Sequence, residues 1–260
     1  MPEQNLSGSA ALDILYETRE LVVCLKPAGV ESEDRPAPGA KTPCVPGILR
    51  EMWGRANAEI YTVHRLDTAT GGVMVYAKTK AAAAALSRQV ELHELKKEYR
   101  CVCAGVPEPR AGQMHDFLFK DSRQNKVFPV KSGRKGAKEA LLDYEVLAVS
   151  GNDRAISEAG EIARAALCRV LLHTGRTHQI RVQFASRKHP LFGDGKYGSR
   201  EKGALGLFCC SLTFTIPGEH APRTFTALPD AALPAWAPFA QTLAAPCECS
   251  ASSAEEPAVL

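Results

Sequence analysis

Short apolar runs rich in β-branched and aromatic residues recur along the chain and are separated by turn residues. Runs of this kind predict β-strands. The predicted strands span residues 14–16, 21–26, 73–78, 97–104, 117–119, 141–149, 166–172 and 207–216. The first two runs enclose a short polar turn at residues 17–20 and therefore predict a hairpin.

Helical patterns are fewer than strand patterns. Residues 80–94 contain a run of alanines preceded by Thr79, which predicts a helix with a threonine N-cap. A second helix is predicted over residues 48–55, and a third over residues 177–187 with Thr177 as its N-cap. Because strands outnumber helices and do not alternate with them regularly, we predict an α+β fold. Its central sheet would be mixed and mostly antiparallel, with flanking helices.

Residues 31–43 are rich in proline, glycine and charge and predict a loop. The glycine-containing segment 122–137 also predicts a loop, and residues 151–164 predict an inserted loop or a turn of helix. The 122–137 loop is basic, and we expect it to lie on the surface at the end of a hairpin. The last residues are mainly Ala, Ser, Glu and Pro, which bury little apolar surface. We therefore expect one catalytic domain over residues 1–245 and a disordered tail over residues 246–260.

Composition narrows the class of protein. Of the 260 residues, 45% are hydrophobic and 23% are charged, as is usual for a soluble globular protein. No apolar run is long enough to span a bilayer, and the N-terminal residues lack a signal-peptide pattern. The nine cysteines include no Cys-x-x-Cys pair, so zinc binding has little support and reduced thiols are expected. A cytoplasmic location is the simplest expectation.

Charge is distributed unevenly along the chain. Residues 96–202 contain 21 Lys or Arg against 12 Asp or Glu, although the net charge of the whole chain is only +3. Clustered cations favour a polyanionic partner, because binding to phosphates releases counterions. A solvated charged surface would give the same counts, so the basic block alone leaves nucleic-acid binding as one of two explanations.

One carboxylate stands in a distinctive setting. The sequence His64-Arg65-Leu66-Asp67-Thr68-Ala69-Thr70 lies between β-prone runs at residues 60–63 and 73–76. This context places Asp67 on a short connection at the edge of a sheet, beside Arg65. An opposite charge nearby keeps a carboxylate ionised, and an ionised, positioned Asp serves as a nucleophile or a base. The alternative is an ordinary surface ion pair at a strand end.

A second polar run opens a predicted helix. Arg176 and Arg181 belong to Leu172-His173-Thr174-Gly175-Arg176-Thr177-His178-Gln179-Ile180-Arg181, near a helix N-terminus that favours anions. The alternative, without anion binding, is a capped helix with two exposed arginines.

Two other patterns are rejected. The glycines at positions 193, 195 and 198 match a dinucleotide-binding spacing, but they follow a helix and precede a strand, so a turn-rich loop is predicted instead. The histidines at positions 173, 178 and 189 are poorly spaced for a metal site, and we expect no metal.

Together these motifs resemble those of the RluA-type pseudouridine synthases, over about residues 14–217. The resemblance implies a pseudouridine synthase fold with a catalytic cleft, in an enzyme that isomerises uridine in RNA to pseudouridine without a metal or organic cofactor. Gly71 stands where the family usually has serine, and we expect no N-terminal S4-type domain. The linked motifs are Leu25-Lys26-Pro27-Ala28-Gly29, His64-Arg65-Leu66-Asp67 with Thr70, Lys97-Glu98-Tyr99, the run from Gly175 to Arg181, and His189-Pro190-Leu191-Phe192-Gly193-Asp194 with Tyr197-Gly198.

The resemblance also implies roles for individual residues. Asp67 matches the catalytic aspartate, which would attack C1′ or remove a ribose proton, and both routes stay open. Tyr99 would stack on the target base and help remove the C5 proton, and Arg181 would pair with Asp67. Arg65 would fill the gap left by the flipped nucleotide, and Arg176 would contact RNA or brace the cleft. The other positions expected to bind substrate are His64, Thr70, Gln179 and Leu191.

The expected partner is RNA, either ribosomal or transfer RNA, bound by a monomer without a protein partner. A non-catalytic RNA-binding module is one alternative. A nucleoside or glycoside hydrolase is another, but it would normally need a second working carboxylate. In the sequence, Asp67 is the only carboxylate in a convincing setting for catalysis. Asp194 lies on a glycine-rich turn and is predicted to anchor its loop.

Overall fold

The computed structural model of the protein describes residues 11–34, 43–151 and 164–244. Within these residues, eleven strands belong to one sheet. The predicted tail, and most of the predicted 151–164 loop, lie outside the described residues. The strands are β1 Ile14–Glu17, β2 Leu21–Lys26, β3 Tyr61–Thr62, β4 Gly71–Ala77, β5 Lys96–Ala104, β6 Ala111–Asp121, β7 Lys126–Val130, β8 Lys138–Ser150, β9 Ala165–Leu172, β10 Leu207–Thr215 and β11 Pro222–Thr226.

The sheet is mixed but almost entirely antiparallel. Its strand order is β1-β2-β4-β10-β5-β9-β8-β6-β7, with β3 paired to β4 and β11 paired to β10. Among the described strands, the pairing of β10 with β4 is the single parallel one. The predicted α+β class, with a mixed and mostly antiparallel central sheet, is therefore confirmed.

The parallel pair brings two distant parts of the chain into very close contact. Gly72 on β4 pairs with Cys209 on β10, and the φ angle of Gly72 is +132°. A Cβ atom at Gly72 would lie 2.3 Å from the carbonyl oxygen of Cys209, so glycine alone fits this position. This contact fixes the end of the 63–70 connection against the centre of the sheet.

Helices pack against both faces of the sheet, and β4 shows why. All seven of its residues are buried, because alternate side chains enter two different cores. Val73 and Val75 pack with Leu86 of α2, whereas Met74 and Tyr76 belong to the core that contains residues of α1 and α3. The helices are α1 Val45–Met52, α2 Lys80–Glu91, α3 Gln179–Ser186 and α4 Ala240–Ala244. None of the described helices is long and apolar enough to cross a membrane.

The two predicted threonine caps have opposite outcomes. Thr79 caps α2 as predicted, since its Oγ1 accepts a hydrogen bond of 3.2 Å from the amide of Ala82. The predicted cap at Thr177 is wrong. Helix α3 begins at Gln179, and its N-cap is His178, whose φ of 51° is left-handed and whose side chain makes no capping bond. That side chain points to the cleft instead, as described below.

Two predicted boundaries also need correction. Helix α1 begins at Val45 and not at residue 48, because Pro46 suits a first helical turn, where the missing N–H costs nothing. The basic 122–137 segment, predicted as a loop, contains β7. Strand β7 is last in the sheet order, and an edge strand tolerates Pro129 because one side of its backbone lies outside the ladder.

Candidate active site

A cleft of about 1170 Å³ opens beside the connection between β3 and β4. Its other walls come from the start of β5 and from the segment between β9 and α3. A smaller cavity of about 70 Å³ shares these walls and is also lined by residues of the sheet. The residues that line both spaces are Arg65, Leu66, Asp67, Lys97, Leu172, Gly175, Arg176, His178 and Arg181.

Asp67 lies on the connection before β4, where its backbone carbonyl accepts a hydrogen bond of 2.9 Å from the amide of Thr70. Its side chain is 24% exposed. Its Oδ2 accepts a hydrogen bond of 3.1 Å from Nη1 of Arg181, and Nε2 of His178 lies 4.0 Å from the same oxygen. The carboxylate is therefore oriented by one guanidinium while it remains open to the cleft.

Arg181 binds a second carboxylate more closely than it binds Asp67. Its Nε and Nη2 donate hydrogen bonds of 2.7 and 2.8 Å to the two oxygens of Asp194, which is buried. Burial by itself would lower the pKa of Arg181, but the bonds and charges of Asp194 and Asp67 outweigh it and raise this pKa. A paired, permanently charged Arg181 thus fixes Asp67 from inside the protein.

Tyr99 lies on β5 and lines the smaller cavity together with Asp67. Its side chain is buried in the main core. Burial raises the pKa of Tyr99 well above its ordinary value, and the neighbouring Cys209 and Asp67 raise it further. The phenol is therefore neutral, and it supplies an apolar ring beside the carboxylate.

His178 links Asp67 to strand β7 through Tyr197. The Tyr197 hydroxyl oxygen accepts a hydrogen bond of 2.9 Å from the amide of Val127 and lies 2.9 Å from Nδ1 of His178. Burial lowers the pKa of His178, although Asp67 acts in the opposite direction. In the neutral imidazole, a hydroxyl donating to Nδ1 leaves the ring proton on Nε2, the nitrogen that faces Asp67.

Gln179 organises the turn that leads into α3. Its Oε1 accepts hydrogen bonds from the hydroxyl of Thr174 at 2.8 Å and from the amide of Arg176 at 3.0 Å. Its Nε2 donates to the carbonyl of Leu141 at 3.1 Å, and the side chain is buried. Gln179 lines the smaller cavity, but all of these bonds are made within the protein.

The other predicted site residues differ in how far they are exposed at the cleft. Arg65 is 64% exposed at the cleft and forms an ion pair of 2.8 Å with Glu33. Arg176 lines both spaces, and its Nε donates to the carbonyl of Glu139. Thr70 is buried in the smaller cavity wall, and its Oγ1 has no hydrogen-bond partner in the described residues.

Two more of the predicted substrate-binding residues, His64 and Leu191, are buried. His64 lines the cleft but is buried, and its Nε2 accepts a hydrogen bond of 3.2 Å from the amide of Val75. Leu191 is completely buried in the main core and lines neither cavity. The predicted contact between Leu191 and substrate is therefore corrected: this side chain fills the core, because its segment bridges to Cys103 of β5.

A family model described as RNA pseudouridylate synthase matches residues 20–186, and this range includes Asp67, Tyr99 and Arg181. The chain belongs to the RNA pseudouridylate synthase family. Its relatives are of the RluA type, as the sequence motifs indicated. The dual-specificity RNA pseudouridine synthase RluA of Escherichia coli K12 is 33% identical over 234 residues, which cover 84% of this chain and 94% of that protein.

Two further relatives define the extent of the match. An uncharacterized RNA pseudouridine synthase of Bacillus subtilis, YhcT, is 32% identical over 197 residues, or 74% of this chain. The alignment spans only 59% of that protein, less than two thirds of its length. The structure of human RNA pseudouridylate synthase domain containing 1 has the same fold, with a TM-score of 0.67 at 23% identity, covering 90% of this chain and 89% of that one.

The cleft and the contacts that support it include residues to which the sequence patterns assigned no role in catalysis or binding. Asp194 was predicted to anchor its loop, and in fact it is the principal partner of Arg181. His178 and Tyr197 belong to the quoted motifs, and that membership is the signal that could have marked them. Lys97 lines both spaces and stands in the same motif as Tyr99.

In the part of the chain that the structure describes, no group of three or more His, Cys, Asp or Glu side chains could hold a metal ion. The seven described cysteines carry free thiols, and most of them are buried within the sheet.

Proposed function

We propose that this protein is an RNA pseudouridine synthase, which converts uridine to pseudouridine in ribosomal or transfer RNA. The observation that carries the proposal is the carboxylate of Asp67, oriented by Arg181 at 3.1 Å and open to a cleft beside Tyr99. The name of the Escherichia coli relative, a dual-specificity RNA pseudouridine synthase, supports the same substrate class.

In the proposed reaction, the C1′–N1 bond breaks and its electron pair leaves with the uracil. Asp67 either forms a bond to C1′ or removes a ribose proton, and both routes use a carboxylate in this position. The uracil then rotates, and C5 forms a bond to C1′. In the first route the bond between Asp67 and C1′ breaks in this step, and in the second route the proton held by Asp67 returns to the ribose. The C5 proton leaves to a base, and N1 gains a proton, so that substrate and product are isomers.

Tyr99 is proposed to support the uracil ring. An aromatic face stacks on a base without selecting its sequence. Because burial raises the pKa of Tyr99, a phenolate that removes the C5 proton is not favoured. The carboxylate of Asp67, free again once C5 has bonded to C1′, is the base that this site offers.

Chemistry on a base requires the nucleotide to leave its stack, which costs a few kcal/mol. We infer that Arg65, exposed at the cleft, fills the gap, and that Arg176 contacts the RNA. The excess of Lys and Arg over residues 96–202 would offset the cost through phosphate contacts.

A hydrolase with two working carboxylates is less well supported. Asp194 shares Arg181 with Asp67, so a second acid is near. However, Asp194 is only 2% exposed, and both of its oxygens accept hydrogen bonds from Arg181. It therefore acts as a fixed partner of Arg181, buried away from the water that a second working carboxylate would have to activate.

Tritium release tests the proposed function. RNA carrying [5-³H]uridine, prepared from a strain that lacks this gene, would be incubated with wild type, Asp67→Asn or the matched control Asp13→Asn. Asp13 is exposed and lies outside the cleft. We expect release by wild type and Asp13→Asn, and none by Asp67→Asn.

The outcomes separate the alternatives. Equal release by Asp67→Asn would show that another residue carries the chemistry. Tight RNA binding by wild type without release from any RNA fraction would favour the non-catalytic binding module. Loss of the base from the RNA, with free uracil in solution, would indicate a hydrolase.

A further inference from the structure

Lys97 is a partly buried cation that pairs with no residue in the part of the chain that the structure describes. It lies on β5, two residues before Tyr99, so both side chains project from the same face of the strand. Its ammonium group makes no hydrogen bond and no ion pair within the described residues. A Cβ atom at Gly175 would lie 3.4 Å from Nζ, which places the ammonium against the turn before α3.

Lys26 shows which contacts a fully buried lysine with a structural role requires. Lys26 is 1% exposed, and its Nζ donates hydrogen bonds to the carbonyl oxygens of Pro27, Val30 and Thr68 at 2.9, 2.6 and 3.1 Å. These three acceptors replace the water that burial removes. Lys97 has no such set, although burial lowers its pKa. A partly buried ammonium at a cavity wall, with no acceptor among the described residues, points to an external partner.

The surroundings of Lys97 indicate which partner it takes. It lines both the cleft and the smaller cavity, together with Asp67 and Tyr99. In the proposed reaction, the uracil that leaves C1′ carries a negative charge, which its carbonyl oxygens share. A cation at the wall of the cavity that holds the ring can bind this charge as it develops.

We propose that Lys97 donates a hydrogen bond from Nζ to a carbonyl oxygen of the target uracil and stabilises the uracil anion while the C1′–N1 bond breaks. The electron pair of that bond stays on the uracil, and Lys97 keeps its proton. This inference rests on the proposed function and deepens it, since it assigns the group that binds the leaving base.

The test compares Lys97→Met with wild type and with Lys80→Met, an exposed control at the start of α2. Methionine keeps the length of the side chain and removes the charge. We expect the single-turnover rate of Lys97→Met to fall by about 100-fold or more, the range for losing one donor to a developing anion. RNA affinity is expected to change less than about twofold, with an unchanged salt dependence.

Two further measurements distinguish catalysis from a structural role. The thermal midpoint of Lys97→Met is expected to equal or exceed that of wild type, because a partly buried charge without a hydrogen-bond acceptor among the described residues is removed. Lys97→Gln, which keeps a donor without the charge, is expected to recover part of the rate. A stable variant that is slow but binds RNA normally would support the proposal.

Other outcomes overturn it. An unchanged rate in Lys97→Met would exclude the role. Weaker RNA binding with a smaller salt slope would show that Lys97 contacts a phosphate and not the base. If wild type itself releases no tritium, the proposed function fails first, and this result is distinct from an active wild type with an equally active variant.

Discussion

Asp194 holds the guanidinium of Arg181 with both carboxylate oxygens, at 2.7 and 2.8 Å. Both side chains are buried, so each charge relies on the other. Arg181 in turn makes one bond of 3.1 Å to Asp67. The position of the proposed catalytic carboxylate therefore depends on a second carboxylate that lines neither the cleft nor the smaller cavity.

Replacing Asp194 is expected to destabilise the fold as well as the site. Asp194→Asn leaves Arg181 without its main counter-charge, and breaking a buried pair costs about 3–5 kcal/mol. Urea unfolding would measure this loss. The control is Glu219→Gln, whose exposed ion pair with Arg223 spans 3.3 Å and should contribute less than about 1 kcal/mol. Equal losses in the two variants would contradict the importance of the buried pair.

The contact between Gly72 and Cys209 predicts a strict requirement for glycine. Gly72→Ala would place Cβ within 2.3 Å of the Cys209 carbonyl oxygen at a φ of +132°. We expect a loss of more than about 4 kcal/mol, or failure to fold, because both strand backbones must move. Gly195→Ala, where nothing lies within 4 Å of the added Cβ, is the control for thermal unfolding. A fully stable Gly72→Ala would show that β4 and β10 can separate.

His64 predicts a specific loss of stability in acid. Burial lowers its pKa from 6.5 to about 3, and Lys97 acts in the same direction. The unfolded chain therefore binds a proton at a higher pH than the folded protein does. The stability contributed by neutral His64 is complete above pH 6.5 and is lost as the pH falls toward 3, by up to about 1.4 kcal/mol per pH unit.

Urea unfolding at pH 6.5 and pH 5 would measure this effect in wild type and in His64→Gln. Wild type is expected to lose about 2 kcal/mol more than the variant over this interval. His220→Gln, at an exposed position, should behave as wild type does. Parallel losses in wild type and His64→Gln would mean that His64 takes up its proton without unfolding the chain.

The basic 122–137 segment, which contains β7, is predicted to contact RNA. Lys131, Arg134 and Lys135 are exposed on the segment after β7. Their joint replacement by Gln should weaken RNA binding and reduce the slope of log affinity against log salt, by about one per lost phosphate contact. The control replaces Arg19, Arg55 and Arg88, which are exposed outside the cleft. The same slope in both triple variants would place the RNA elsewhere.

Local patterns predicted most of the fold. The buried run of β4 and the Thr79 cap of α2 follow from neighbouring residues, and the structure confirms both. The cap at Thr177 failed because His178 adopts a left-handed backbone and turns its side chain to Tyr197. Strand β7 was missed because its short apolar run is embedded among lysines and glycines and contains Pro129.

The site was predictable where motif residues carry the chemistry and not where distant residues position them. The sequence indicated the pairing of Arg181 with Asp67, and the structure joins them at 3.1 Å. It could not show that Asp194 takes two of the Arg181 donors, because that contact depends on where the turn after α3 lies. The unpaired state of Lys97 likewise emerges only when three segments of chain surround it.

The hydrogen bonds that join Val127, Tyr197 and His178 connect the hairpin of β6 and β7 with the proposed catalytic carboxylate of Asp67. A nucleic acid bound to this hairpin would act on this chain of contacts. Its other end, Nε2 of His178, lies 4.0 Å from Oδ2 of Asp67. RNA binding and the chemical reaction would then depend on different contacts with the same RNA. An RNA that fits the cleft but does not contact the hairpin would be bound without being modified. The linkage would therefore discriminate between RNA molecules by their shape.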